Sequence, residues 1–188
     1  MYEFMKDFAG PLATMLQNLI LAVGAYFAWR TIKAQQAVAA KRATLDMIHH
    51  LTHDERYNAA LKLVNKMRAE ERDSGTIYSD MKNKSQSEEN IKAALERYLA
   101  ATEVLKRLSI IANGIKNGSL DEQSFKEYYY STLVETVEYL RAFILSIRQA
   151  AGKQIHYAKR YVSPETIYAG MEELLARWKA SPLGKDHK

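Results

Sequence analysis

The 188-residue chain contains no cysteine, and that absence removes several kinds of chemistry at once. A disulfide framework, a thiolate metal site, an iron–sulfur cluster and a cysteine nucleophile are all excluded. Proline and glycine are scarce, at 3 and 8 residues, and fall between periodic segments. A turn-rich β fold needs more of both, so long helices are expected. The chain also lacks a glycine-rich phosphate loop, an HExxH pair and a serine nucleophile elbow. No cofactor and no metal are expected. Charge is missing from one stretch altogether: Phe8 to Trp29 holds no Asp, Glu, Lys or Arg.

At about 1.5 Å per residue, that run covers the roughly 30 Å hydrocarbon core of a bilayer as one helix. Tyr26 and Trp29 fall where an interfacial aromatic belt sits. A cleaved signal peptide is the alternative, but its leading region should be basic, and here it reads Glu3, Lys6, Asp7. Arg30 and Lys33 also follow the run where small residues should mark a cleavage site. With Lys41 and Arg42 they outweigh Lys6 in front of it, so the positive-inside rule puts the N-terminus outside and the bulk of the chain in the cytoplasm.

The span is not uniformly apolar. At about 100° per residue, Gln17, Leu21, Gly24 and Ala28 share one face with Gly10, Ala13 and Thr14, and Asn18 lies at its edge. Small residues let helices approach closely, and amides in hydrocarbon need partners. A homo-oligomer through this face is therefore expected, with membrane lipid on the other side. In a ring, the same face would line a wet pore. A lone anchor that tolerates two amides is the other reading.

Beyond Trp29 the first helix has no breaker until about Thr52. Thr52-His-Asp-Glu55 reads as a capping box that opens a second helix, which stops near Gly75. Residues 74–86 are polar and read as a loop. Ser85-Gln-Ser-Glu88 opens a third helix with the stripe Ile91, Leu95, Tyr98, Leu105, Leu108 and Ile115, ended by Asn117-Gly118. Ser119-Leu-Asp-Glu122 reads as a capping box for a helix of about thirty residues, with the stripe Phe125, Tyr129, Leu133, Val137, Leu140, Ile144 and Ile147. The short link between these two long helices implies a hairpin. Ser163-Pro164-Glu165 starts a last helix bearing Ile167, Met171, Leu174 and Trp178. The fold class is all-α: an anchor over 1–36, a cytoplasmic antiparallel bundle over 37–181, and a tail over 182–188.

Net charge is +5 and the pI about 9.2, which suits RNA or an anionic lipid surface. Histidine is the remaining group with chemical reach near neutral pH. His49, His50 and His53 are clustered beyond the span. A second cluster runs from Arg148 to Tyr161, where Lys153, His156, Lys159 and Arg160 form a basic patch interleaved with tyrosines. Cations meet phosphates and rings stack on bases, so single-stranded RNA fits this pattern, as does a solvated linker.

A helical bundle with an Arg and a His near the end of a long late helix resembles a HEPN domain. In that family an R-x(4–6)-H motif cleaves RNA, usually in a dimer. The resemblance implies that Arg148 would hold the phosphate and His156 would move the 2′-hydroxyl proton. Seven residues lie between these two, one more than the motif; the alternative pair Arg42 and His49 has six. The layout as a whole is similar to the small membrane accessory proteins of type VI-B CRISPR systems. That implies an antiviral role beside an RNA-guided nuclease in the bacterial inner membrane, with the nuclease or RNA as partner. An uncharacterised family of membrane-anchored bacterial and phage helical proteins resembles the Leu105–Ser119 stretch equally well. The readings left open are a pore-forming effector without catalysis, a tethered HEPN-type ribonuclease, and a tethered interaction module.

The orientation has a direct test. A tag at the C-terminus should survive protease added to intact spheroplasts, and its digestion would reverse the assignment.

Overall fold

A computed structural model describes residues 2–83, 85–154 and 168–182, with side chains from Leu12 and, in the middle segment, up to Gly152. Its helices are α1 (Tyr2–His53), α2 (Glu55–Ala69), α3 (Ile77–Lys82), α4 (Glu88–Lys116), α5 (Glu122–Tyr139), α6 (Arg141–Gln154) and α7 (Ala169–Ala180), with a 3-10 turn at Ser74–Thr76. There is no strand among the described residues. The chain divides into two compact units, Met1–Ala40 and Lys41–Lys188.

The first unit is the apolar part of α1. Every described side chain from Leu12 to Ala39 is exposed.

The second unit begins with residues 41–53, the last turns of α1. Thr44, Ile48 and Leu51, spaced by four and three, share one face and are buried. The expected break at Thr52 is not there. Its hydroxyl donates to the Ile48 carbonyl one turn back, at 2.8 Å, so the helix continues to His53. Asp54 is the cap of α2: its backbone is extended and its carboxylate accepts the Tyr57 N–H at 3.0 Å. The same shift occurs before α5. Ser119 donates to the Gly114 carbonyl at 3.0 Å, and Asp121 caps the helix through the Ser124 N–H at 2.8 Å. In both places a carboxylate directly before the helix is the stronger acceptor for the orphan N–H groups.

α2 ends at Ala69, six residues before the Gly75 expected from the sequence, because Glu71 takes a left-handed conformation with φ 53°. Arg72 N–H bonds the Met67 carbonyl and Glu71 N–H bonds Arg68, the two bonds of a Schellman motif. α4 ends in the same motif with Gly118 at the left-handed position, φ 71°. There Ser119 N–H bonds the Gly114 carbonyl and Gly118 N–H bonds Ile115. The polar stretch after Gly75 is not all loop, since it contains α3.

The long helix expected after Ser119 is two helices that break at Leu140. The Ser74 hydroxyl, itself buried, donates to the Tyr139 carbonyl at 2.5 Å. A side chain inserted at the ladder is a known cause of a kink. The apolar stripe survives the break: Phe125, Leu133, Val137, Leu140 and Ile144 are buried, with Tyr129 and Ile147 packed against them. α4 runs through the core, and Ala94, Ala100, Ala101 and Ala112 keep its inner face narrow. It packs most extensively on α2, then on α3 and α7, and has a smaller seam with α5. α7 closes the unit with Met171, Leu174 and Trp178, all buried.

The two Schellman ends carry opposite expectations. Replacing Gly118 by Ala should destabilise the chain by about 1 kcal/mol, because a Cβ disfavours the left-handed region. Glu71→Gly should stabilise it by about 0.5 kcal/mol for the same reason. Urea unfolding of the detergent-solubilised chain, followed by circular dichroism, checks both signs.

Candidate membrane segment and charged cleft

In the first unit, Gln17, Asn18, Leu21, Gly24 and Ala28 are all exposed. A Cβ built on Gly24 would meet nothing within 4 Å, so this face is open. At about 100° per residue, Gln17, Leu21, Gly24 and Ala28 fall within one narrow sector, with Asn18 beside it. The aromatic end of the run is ordered by its own contacts. Tyr26 lies 5.9 Å from Phe27 and 6.3 Å from Trp29 between ring centroids. α1 is long and apolar enough to cross a membrane over part of Leu12–His53, and the most apolar stretch is not buried.

The histidines lie in the second unit. The His49 and His53 rings stack at 4.2 Å between centroids, as an i,i+4 pair does. His53 Nδ1 is 2.8 Å from the His49 carbonyl, which assigns the proton to that nitrogen. Among the described residues no group of three His, Asp or Glu is arranged to hold a metal ion. Arg42 and His49 are both exposed and lie two helical turns apart on one face of α1.

Arg148 stands in the last part of α6, and its guanidinium donates to Glu172 of α7 at 2.5 Å. This pair sits in a cleft of about 500 Å³ between α5, α6 and α7. Val137, Leu145 and Leu175 give the cleft its apolar wall, and Arg141 stands at its edge. Lys179 of α7 bonds Glu138 of α5 across the same cleft. Lys153 belongs to the last turn of α6, but its side chain lies outside the described residues. His156, Lys159 and Arg160 lie outside them as well, so the structure does not test the pairing of Arg148 with His156.

Sequence spacing missed the charge network at the start of α2. Arg107 of α4 reaches Asp54 at 2.9 Å and Glu103 at 3.1 Å, and Arg56 approaches Glu103 at 3.8 Å. The donated Tyr57 N–H, with Arg107 beside it, holds the Asp54 carboxyl below its ordinary value. The Ser124 hydroxyl and N–H do the same for Asp121, aided by nearby Lys41. Lys116, bonded at 2.9 Å, lowers Glu173. Burial pushes the Tyr57 hydroxyl up, and that group has no hydrogen-bond partner among the described residues. A signal for these capping roles was present locally, since Asp54 and Asp121 each directly precede a helix. Arg107, fifty-three residues from Asp54, left none.

A family model described as a domain of unknown function, DUF4760, matches residues 18–178, which takes in much of α1 and nearly all of the second unit. No curated protein and no solved structure matches the chain.

The lowered carboxyls set a direction for pH dependence. Groups held below their ordinary values of 3.8 and 4.5 contribute stability that is complete above those values. That contribution is lost as pH falls through the lower folded-state values. Thermal melting should therefore show a plateau above about pH 5 and a steep fall below about pH 4. Asp121→Asn keeps a cap acceptor but removes the proton site, so its acid limb should be shallower. A limb as steep as that of the parent would show that Asp121 does not contribute.

Proposed function

The chain belongs to the DUF4760 family, and from that premise we propose that it is a membrane-anchored helical protein that assembles with copies of itself and opens the bilayer. One observation carries the reading: an apolar helix, charge-free from Phe8 to Trp29, whose described side chains from Leu12 to Ala39 are all exposed. Lipid covers such a surface, and Gln17 and Asn18 inside it then need hydrogen-bond partners. Neighbouring copies supply them, at about 0.6 kcal/mol per bond in a bilayer. The open face at Gly24 supports close approach. In a ring, the amide face turns to the axis, where water satisfies it. Arg30, Lys33, Lys41 and Arg42 support a cytoplasmic second unit.

The engagement of Arg148 by Glu172 supports an effector without catalysis. A guanidinium that already donates to a half-buried carboxylate would have to leave that carboxylate uncompensated to hold a phosphate. The HEPN-like character of the bundle, and an antiviral role beside an RNA-guided CRISPR nuclease in the bacterial inner membrane, rest on the resemblance in layout.

Mass photometry of the detergent complex should give a multiple of the 21.5 kDa chain, and a monomeric mass would defeat the assembly. Liposomes containing the protein should leak dye. The Gln17→Leu/Asn18→Leu pair should seal them while leaving insertion intact. Equal leakage with and without the amides would defeat the pore-lining role alone.

A further inference from the structure

The same helix carries a second surface, on the side away from Gln17 and Gly24. Arg30 and Lys33 are i,i+3 neighbours, so their side chains share one exposed flank of α1. The Lys33 ammonium stands over the Trp29 ring, 4.4 Å from its centroid. Tyr26 adjoins the same indole. At about 100° per residue, Tyr26, Trp29, Arg30 and Lys33 lie roughly opposite Gln17, Leu21, Gly24 and Ala28. Self-association through the face of Gln17, Leu21, Gly24 and Ala28 therefore leaves the cationic flank turned to lipid.

This flank has no compensating charge close to it on its own helix. No Asp or Glu occurs from Phe8 to Leu45. Neither Arg30 nor Lys33 makes an ion pair with a carboxylate among the described residues. Two cations one turn apart repel each other unless an outside anion answers them. Their position identifies that anion. They follow directly on the charge-free run, one turn beyond an aromatic pair of the kind found at headgroup level.

We propose that Arg30 and Lys33, set by Trp29, form a binding surface for the phosphate of an anionic phospholipid in the leaflet next to the second unit. The inference rests on the reading of α1 as a span and goes further by naming the lipid class and the residues that select it. The indole anchors the depth, the ammonium held on its face meets one phosphate oxygen, and the guanidinium can take two more in its planar fork. A zwitterionic headgroup brings its own cation and answers the pair less well.

Tryptophan quenching reads this surface directly. The full chain is reconstituted in equal mixtures of phosphatidylglycerol and phosphatidylcholine, with bromine on the acyl chains of one lipid or the other. Trp178 is buried in the second unit and enters both vesicle sets alike, so the difference between them reports Trp29. Brominated phosphatidylglycerol should quench more strongly, reflecting local enrichment of about fivefold for one cation near an anionic surface. Arg30→Gln/Lys33→Gln should bring the two lipids to equal quenching. Equal quenching in the parent would overturn the lipid selectivity and leave the span intact. An undiminished preference in the double variant would overturn the assignment to these residues. No quenching by either lipid would remove the span itself, and the proposal with it.

Discussion

An apolar helix of this length has to be covered by something other than water. Twelve large apolar side chains between Leu12 and Val38 are 46–73% exposed. Burying one such side chain fully is worth about 1.5–3 kcal/mol. The whole stability of a domain is about 5–15 kcal/mol. Covering this set is therefore worth about as much as the whole stability of a domain. The proposed function answers this requirement: in it lipid is the cover, and Gln17 and Asn18, which lipid cannot satisfy, mark where copies would meet.

The second unit obeys a quieter constraint, the satisfaction of helix ends. Asp54, Ser87 and Asp121 cap the starts of α2, α4 and α5, and Glu71 and Gly118 close the ends of α2 and α4, so that groups a helix terminus leaves open are disposed of. Thr44 belongs to α1, yet its buried hydroxyl accepts the Asp121 N–H at 2.7 Å. The turn before α5 is thereby seated on residues 41–53. At the far side, Lys126 donates to the Ser181 carbonyl just beyond α7, where a cation complements the helix dipole. Trp178 adds a bond from Nε1 to Glu122 at 2.9 Å, with Arg177 on the same carboxylate at 3.1 Å.

Part of the charge in this unit is answered from within. Arg68, Arg107, Arg148 and Lys179 each meet a carboxylate on another element or at a helix cap. Such pairs add little stability where exposed, but they determine which helix faces lie together. These pairs hold the helices of the unit in register, while Arg30 and Lys33 lie on α1 in the first unit, without an ion pair among the described residues. In the proposal made here the phosphate chemistry falls to Arg30 and Lys33, and the Arg148–Glu172 pair makes its cleft a packing junction.

The sequence by itself determined what depends on near neighbours. A charge-free run dictates a long helix, a period of three and four dictates a bundle, and Asn117-Gly118 dictates a stop, because each acts through residues within one or two turns. The buried stripe from Phe125 to Ile144 was legible for the same reason. Tertiary structure decided what depends on distant groups. The break at Leu140 comes from Ser74, sixty-five residues away, which no periodicity records. The choice of Asp54 over Thr52 as a cap was a local competition, but Arg107 reinforces it from α4. The partner of Arg148 was settled by Glu172 on α7, twenty-four residues further on, because ion pairs are made across space and spacing along the chain registers only those within a turn.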